Sequence, residues 1–342
     1  MRSHAKSAYA AAALLGAALL WGGAIPAQAE DYNGGKPVTL IIGEPPGGGY
    51  DGYARILARH IGRHIPGEPT VVPQNMPGAG SLNAMNYLFN VAPKDGSSFG
   101  MVQRFVVIMP LLDMQGAKFA PDKMSAVGSM DQDVGVCIVR REFNLGSLDE
   151  LKSRTMLVGT EGGATDLTTF TNAIVKLLGW KLKTVSGYHG TQEINLAIDR
   201  GEVDGRCGVS YSSLVRTTSF LKDKRVTIFL QLATRKDPAL PDVPLLMDLA
   251  PNEKDRSALE LLLAPSAVAR PFFLPPGVPP ERVATLRAAF DATMKDPDFL
   301  ADAAQQKANI RPYQGTEMQA FIERVYKLPP PVVARAKELV KD

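Results

Sequence analysis

Short apolar segments alternate with amphipathic segments along most of the chain. Residues 38–42, 70–72 and 98–102 are short apolar runs bounded by glycine, proline or polar residues, so each predicts a buried β-strand. Residues 51–65 carry apolar side chains four positions apart and predict a helix, and residues 81–89 predict a second helix. Because strand, loop and helix recur in this order, we expect parallel strands joined by right-handed crossovers.

The same order begins again in the second half of the chain. Strands are predicted at 134–139 and 155–158, and the helix predicted at 166–178 has its apolar residues on one face. Further strands are predicted at 184–185, 203–209 and 226–232, and further helices at 194–201, 280–295, 297–306 and 316–327. The chain therefore predicts two α/β halves, each with a glycine-rich loop that leads into a helix.

The first 29 residues have the pattern of a secretory signal peptide. Arg2 and Lys6 precede an apolar run over residues 8–21, and the segment closes with small residues up to Ala29. A basic start, a short apolar stretch and an A-x-A end predict cleavage after Ala29 and export to a bacterial periplasm. An uncleaved N-terminal anchor is the alternative, although the apolar run is short for a membrane span.

Composition narrows the class of protein further. The 342 residues are 45% hydrophobic and 21% charged, with a formal net charge of +3, which is typical of a globular protein. A charge so close to neutral gives no electrostatic sign of nucleic-acid binding. Two cysteines exclude a disulfide-rich scaffold and a cysteine-rich metal module.

The first glycine loop matches the dinucleotide fingerprint G-x-G-x-x-G over residues 47–52. Two features argue against that interpretation. Residues 71–75 offer no acidic side chain for a ribose, and Asp51 would repel a pyrophosphate at the start of the helix. We therefore expect no nicotinamide or other cofactor. Three successive glycines are entropically costly, which favours a ligand that approaches the backbone closely.

The histidines suggest two other chemistries, metal binding and hydrolysis. His60 and His64 are four residues apart, but Arg59 and Arg63 beside them would repel a metal cation, so we expect a solvated helix face and no metal. No G-x-S-x-G motif occurs, and His189 lacks triad partners by motif. An exported hydrolase stays the alternative in the enzyme class.

A series of short motifs resembles one family of receptors. They are Pro46-Gly47-Gly48 with Asp51 and Ala54-Arg55, the segments 75–80 and 92–96, Tyr188-His189-Gly190 with 197–204, 241–244, 264–265, and 274–279. In this order they resemble the Bug solute receptors, the periplasmic substrate-binding components of tripartite tricarboxylate transporters. Leu245 stands where that family usually has threonine.

The resemblance implies a type II periplasmic binding protein fold of the α/β class. Two Rossmann-like lobes, residues 30–131 plus 246–342 and residues 132–245, would be joined by two crossovers and close around a ligand cleft. The implied function is capture of a small mono-, di- or tricarboxylate by a monomeric, non-enzymatic receptor, for delivery to integral membrane subunits. A receptor that presents its ligand to a sensor protein is the alternative binding role.

We expect glycine loops and helix N-termini from both lobes to line the cleft, because free N–H groups at helix starts favour anions. From the first lobe the expected ligand-binding residues are Gly47, Gly48, Gly49, Tyr50, Asp51, Pro77, Gly78, Ala79, Gly80, Ser81 and Arg104. From the second lobe they are Thr160, Gly163, Ala164, Thr165, Asp166, Tyr188, His189, Gly190 and Asp204.

Arginine is the side chain that best fits a carboxylate in this cleft. Arg104 follows a predicted strand of the first lobe, and Arg206 lies in the second lobe. A guanidinium can bind a carboxylate with two hydrogen bonds, so we hypothesise that one of them, Arg104 in preference, pairs with the ligand. The alternative is that each arginine pairs with a protein acid, for which Glu44 and Asp204 are candidates.

Cys137 and Cys207 fall in predicted strands of the second lobe. The fold implied by the resemblance places these strands side by side, and an exported protein meets an oxidising compartment. We therefore expect a possible disulfide between them, with two buried free thiols as the alternative.

Overall fold

A computed structural model describes residues 31–163 and 165–341. The predicted signal peptide, residues 1–29, and the predicted binding residue Ala164 lie outside the described residues. The strands, in chain order, are β1 Val38–Ile42, β2 Val71–Asn75, β3 Ser98–Met101, β4 Ser125–Ser129, β5 Gly135–Arg140, β6 Met156–Gly159, β7 Leu182–Val185, β8 Gly205–Ser210, β9 Val226–Leu232, β10 Pro271–Leu274 and β11 Tyr313–Gln314. They form two separate sheets.

The first sheet has the strand order β11-β4-β10-β3-β1-β2. β1 pairs in parallel with β2 and β3, as the sequence predicts, but β10 runs antiparallel to both β3 and β4. The expectation of purely parallel strands is therefore wrong here. β10 comes from a late part of the chain that returns to the sheet after the second sheet is complete, so no strand–helix–strand unit sets its direction.

The edge strand β2 continues further than predicted. The sequence pattern ends this strand at residue 72, whereas the structure extends it through Pro73 to Asn75. Proline has no N–H to donate to a neighbouring strand, but β2 has a partner on one side only, so Pro73 is tolerated.

The second sheet has the strand order β7-β6-β8-β5-β9. β6 is parallel to β7 and β8, while β5 is antiparallel to β8 and β9. β5 is the strand by which the chain first enters this sheet from the other one, so its direction differs from that of the later strands. The structure joins Cys137 on β5 to Cys207 on β8 by a disulfide, at positions that face each other in the strand register.

Ten α-helices cover these sheets in the described part of the chain. They are α1 Gly49–His60, α2 Leu82–Asn90, α3 Asp166–Leu178, α4 Thr191–Asp199, α5 Tyr211–Thr217, α6 Glu253–Leu263, α7 Pro280–Thr293, α8 Pro297–Gln305, α9 Gly315–Val325 and α10 Pro330–Val340. Most follow a strand, α7 and α8 begin at a proline, and α6 and α10 pack on each other. No helix in the described ranges has the length and apolar character that crossing a membrane requires.

Two sheets covered by helices confirm the predicted two-lobed α/β architecture. The first sheet is built from strands before residue 130 and after residue 270, and the second from strands between residues 135 and 232. The C-terminal helix α10 packs against both α6 and α3, and Lys176 on α3 donates a hydrogen bond to the carbonyl of Glu338 on α10. The lobe boundaries at residues 131 and 246 stay a prediction.

Candidate functional site

A cavity of about 150 Å³ lies between the two sheets. Glu44 follows β1, Gln103 follows β3, Glu161 follows β6 and Ser210 ends β8, so the cavity opens at the carboxyl ends of strands from both sheets. One water needs roughly 10–15 Å³ measured this way, so the space fits a small organic molecule. The lining residues are Glu44, Pro45, Pro46, Gly48, Gly49, Tyr50, Gln103, Glu161, Asp166, Leu167, His189, Gly190, Thr191, Gln192, Glu193, Arg206, Gly208, Val209, Ser210 and Ser213.

The first glycine loop forms one wall of the cavity. Gly47 has a φ of 82°, which favours glycine, and its N–H donates to Asp51 Oδ2 at 2.9 Å. Asp51 also accepts hydrogen bonds from Arg55 and Asn75. Its carboxylate therefore turns back to hold the loop and the start of α1, and a direct contact of Asp51 with a ligand stays a prediction.

The second lobe holds this loop from across the cavity. Gln192 Nε2 donates to the carbonyl of Gly47 at 3.2 Å. Arg216 donates to the carbonyls of Gly48 and Gly49 at 2.9 and 3.0 Å. The two lobes are thus in contact around the cavity. The contact is made to glycine carbonyls, and glycine has no side chain of its own to cover them.

The turn over residues 77–81 supports the cavity wall from behind. Ser81 is fully buried, and its hydroxyl has two acceptors within reach of its single proton, the Gly43 carbonyl at 3.1 Å and Glu44 Oε1 at 2.9 Å. The same oxygen accepts from the N–H of Gln103 at 2.9 Å. Pro77, Gly78, Ala79, Gly80 and Ser81 do not line the cavity, so direct contacts from them to a ligand stay a prediction. Ser81 holds Glu44 in place from behind.

Four carboxyl groups line the cavity: Glu44, Glu161 and Asp166 inside it, and Glu193 at its mouth, where it contacts His189. Burial, with repulsion from Glu161, raises the pKa of Glu44 to about 8. Burial and the nearby Asp166 raise the pKa of Glu161 to about 7. Burial raises the pKa of Asp166 as well, against the attraction of Arg104. The cavity therefore binds protons near neutral pH when it holds no solute.

Arg206 is the cation that faces these carboxyl groups. Its side chain is 1% exposed, lines the cavity, and has no hydrogen-bond partner in the described chain for any of its three nitrogen atoms. Burial lowers its pKa to about 10, so the guanidinium is still charged at neutral pH. A buried guanidinium with three free nitrogens is a binding group for an anion, because leaving it unpaired is costly.

Arg104 has protein partners instead of a place in the cavity. Its guanidinium donates to the carbonyls of Asp133 and Gly208 at 3.5 and 3.4 Å, and lies 3.8 Å from Asp166 Oδ2. The preference for Arg104 as the ligand's partner stays a prediction, and Arg206 is the arginine that lines the cavity. Arg104 pairs with a protein acid, although with Asp166 and not with Glu44 or Asp204.

The structure brings together only part of the predicted site. Gly48, Gly49, Tyr50, Asp166, His189 and Gly190 line the cavity; Gly47, Thr160, Gly163, Thr165 and Tyr188 lie beside it without lining it. Asp204 lies elsewhere and accepts hydrogen bonds from Arg140 and the N–H of Leu157. Asp204 precedes β8 and so lies at the amino end of that strand, and its role in ligand binding stays a prediction.

Several lining residues were not predicted at all. Glu161 belongs to the second glycine loop, and its acidic side chain was the available signal. Ser210 ends β8 and Ser213 lies in α5, and neither has a signal in the sequence pattern. The first turn of α4, Thr191 to Glu193, also lines the cavity, while α3 presents Asp166 and Leu167. α4 begins after Gly190, which has no side chain to cap the helix, so no capping side chain accepts a hydrogen bond from its first N–H groups.

A buried polar network lies behind the cavity where the chain passes between the sheets. Arg270 and Asp133 are both fully buried, with Arg270 NH2 and Asp133 Oδ2 3.4 Å apart. Arg270 also donates to the hydroxyls of Ser210, Ser212 and Ser213 at 2.7 to 2.9 Å. This network joins the end of β8 to Asp133, in the segment between β4 and β5, and to Arg270, directly before β10.

The two histidines of α1 do not form a solvated face. His60 Nε2 lies 2.9 Å from Asp302 on α8, and His64 Nε2 lies 2.8 Å from Asp296. His60 is buried against Phe299 in an edge-to-face contact. The expected solvated face is wrong because α8 packs on it, and the histidines serve this helix–helix contact.

No protein-family profile matches the chain. A UPF0065 protein of Agrobacterium vitis, from the TAR-I ttuE-ttuC' intergenic region, is 25% identical over 258 residues, which cover 72% of this chain and 70% of the relative. This likeness agrees with the resemblance read from the motifs.

Solved structures share the fold along nearly the whole chain. MatC of Rhodopseudomonas palustris with bound malate has a TM-score of 0.69 at 20% identity, covering 90% of this chain and 99% of its own. The periplasmic binding protein BugD has a TM-score of 0.69 at 21% identity, with 90% and 98% covered. A second R. palustris protein, with adipate, has a TM-score of 0.67 at 17% identity, with 89% and 96% covered. The predicted fold and the predicted resemblance to the Bug receptors are thereby confirmed.

Proposed function

We propose that this chain, which has the fold of the Bug and TctC solute-binding proteins, is a periplasmic receptor for a small carboxylate. The observation that carries the proposal is the cavity between the lobes with the unpartnered guanidinium of Arg206 in its wall. Relatives in fold were solved with malate and adipate, which are both carboxylates. As a monomer it would deliver its solute to integral membrane subunits of a tripartite tricarboxylate-type transporter.

Helix ends give the carboxylate further partners. α1 begins at Gly49 and α4 at Thr191, and neither helix start has a side-chain cap. First-turn residues of both helices line the cavity. Free N–H groups and the positive end of the helix dipole stabilise an anion there. A carboxylate at Arg206 would thus be held by one charged side chain and by backbone groups.

Closure of the lobes explains capture. The contacts of Gln192 and Arg216 with the first glycine loop exist only when the lobes meet. A ligand that touches both walls favours the closed arrangement, because it gains contacts there that an open cleft does not offer. Release then requires that these hydrogen bonds break.

Loss of Arg206 is the direct test. In a panel of small carboxylates that includes malate, adipate and amino acids, a tight binder should stabilise the protein by about 2.7 kcal/mol at a hundredfold excess over Kd. With that binder, Arg206→Gln should cost about 2–5 kcal/mol of affinity, or roughly 30-fold to several thousandfold, because a buried carboxylate loses its charged partner. Isothermal titration measures the change.

Arg200→Gln is the matched control, since Arg200 is 68% exposed and lies outside the cavity. It should bind like the unmodified protein. Unchanged affinity of Arg206→Gln, with a normal near-UV spectrum, would contradict the proposal.

A binding role also separates this protein from an exported hydrolase. The fold relatives are binding proteins, and His189 contacts Glu193 at the exposed mouth of the cavity, with Nδ1 and Oε2 3.1 Å apart. We expect no turnover of esters or amides. Solute uptake by a strain that lacks the gene distinguishes delivery to a transporter from presentation to a sensor, since only a transport receptor is needed for uptake.

A further inference from the structure

We propose that the solute carries a protonated amine together with its carboxylate, with the carboxylate on Arg206 and the amine against Glu44 and Glu161. This inference rests on the proposed function, since it assigns the class of carboxylate that the cavity takes. It uses the acidic side chains inside the cavity, Glu44, Glu161 and Asp166, which a plain carboxylate would leave facing a like charge.

The count of charges in the cavity is the first observation. Glu44, Glu161, Asp166 and Glu193 line it, Arg206 is the lining arginine, and Glu193 contacts His189 at the mouth. Arg104 compensates Asp166 from behind, at 3.8 Å. With every group ionised, Glu44 and Glu161 therefore share one unpaired cation. A mono- or dicarboxylate would occupy that cation and leave two acids without a counter-charge, whereas an ammonium on the same solute adds one positive charge that the two acids share.

The second observation is how the acids are held. Glu44 is buried, and the Ser81 hydroxyl fixes its Oε1 at 2.9 Å. Glu161 accepts no hydrogen bond from any group in the described ranges, although it lines the cavity beside Arg206 and Asp166. An ammonium has three donors and no acceptor. It can therefore donate to Glu44, which Ser81 holds in place, and to Glu161, which has no other donor among the described residues.

Other charged groups around these acids do not supply the missing donor. Tyr50 accepts a hydrogen bond from the N–H of Arg104, and Arg270 stacks over the Tyr50 ring. At the mouth, His189 contacts Glu193. These groups, with Arg104, Arg206 and Asp166, complete the titratable and charged residues that face Glu44 and Glu161 in the described ranges.

Proton exchange distinguishes an amine from a plain carboxylate. The empty cavity holds protons because burial and mutual repulsion raise the pKa values of Glu44 and Glu161 to about 8 and about 7. An ammonium lowers these values, so protons are released on binding and affinity rises with pH. A plain dicarboxylate raises them further, so protons are taken up and affinity falls as pH rises.

Matched pairs of probes test this in isothermal titration at pH 6 and pH 8, in buffers of different ionisation enthalpy. The pairs are 6-aminohexanoate with adipate and L-glutamate with glutarate; L-lysine carries one further positive charge, and 1,5-diaminopentane lacks the carboxylate. We expect the amine-bearing member of a pair to bind at least tenfold more tightly than its partner. Its affinity should be about tenfold higher at pH 8 than at pH 6, with net release of protons.

Glu161→Gln isolates the acid, and Glu323→Gln on the exposed face of α9 is its matched control. Glu161→Gln should remove the preference within each pair and the pH dependence, while Glu323→Gln should keep both. Adipate or glutarate binding tightly, with proton uptake, would overturn the inference and leave the proposed function standing. Binding of 1,5-diaminopentane with no response to any carboxylate would overturn the proposed function itself. No response to any amine-bearing probe would overturn the inference.

Discussion

Glu44 and Glu161 show how a residue's neighbours decide its charge. The sequence marks Glu44 as a candidate partner for an arginine, and it marks Asp166 as a binding residue at a helix start. It does not show that Glu44 joins Glu161 and Asp166, because Glu44 follows β1 of the first sheet while Glu161 and Asp166 follow β6 of the second. Their meeting depends on how the lobes pack, which no local pattern contains.

The raised pKa values make the solute-free protein less stable as pH rises. Below about pH 4.5 these carboxyl groups are protonated in both the folded and the unfolded chain. Above it the unfolded chain ionises first, while folded Glu161 and Glu44 keep their protons up to about pH 7 and 8. Stability is therefore lost between about pH 4.5 and pH 8, by roughly a few kcal/mol.

Glu161→Gln should reduce this loss, so its melting temperature should exceed that of the unmodified protein at pH 8 and match it near pH 5. Melting curves at the two pH values, without solute, measure the effect. Glu323→Gln again serves as the control and should follow the unmodified protein. Equal pH dependence in both variants would show that Glu161 is ionised normally in the folded state.

At the scale of elements, sequence periodicity located the helices and strands that carry their own pattern. The bounds of α3 and β9 coincide with those predicted, because each has a clear apolar face or a continuous apolar run. β10 and α10 were not predicted. β10 has four residues between proline and proline-rich turns, and α10 starts from Pro329 and Pro330, so the local signals suggested loops. Pairing with β3 and β4 defines β10, and packing on α6 and α3 defines α10.

The contact between α1 and α5 offers a test at this scale. A methyl group on Gly52 would overlap the guanidinium of Arg216, which holds the carbonyls of Gly48 and Gly49. Alanine is favoured over glycine in a helix by about 1 kcal/mol, so α1 itself should not suffer. We therefore expect Gly52→Ala to keep or raise the melting temperature of the free protein and to weaken solute binding about tenfold.

A double-mutant cycle identifies the cause. If Gly52→Ala acts by displacing Arg216, it should have no further effect on affinity in an Arg216→Ala background. Additive losses measured by titration would place the effect of Gly52→Ala elsewhere.

At the scale of the whole molecule, the disulfide joins the strand that enters the second sheet to the centre of that sheet. Cys137 and Cys207 are separated by 70 residues, so the bond restricts a long loop of the unfolded chain. Replacing both cysteines by alanine should lower the free energy of unfolding by about 2–4 kcal/mol. Chemical denaturation measures it, and a thiol assay on the denatured, unreduced protein should find no free thiol. Two free thiols would show that the bond does not form.

The packing of α10 changes what moves in this molecule. α10 contacts both α6 and α3, and Lys176 of α3 bonds to the carbonyl of Glu338. α10 therefore rests on a helix of the second sheet, although the chain by then has left that sheet and α7 and α9 pack on β4 of the first. The part of the protein that moves with the second sheet is therefore set by packing, and it includes α10, which the order of the chain assigns to the first lobe. A pair of spectroscopic labels on α3 and α10 would keep a constant separation during closure, while a pair on α3 and α1 would report it.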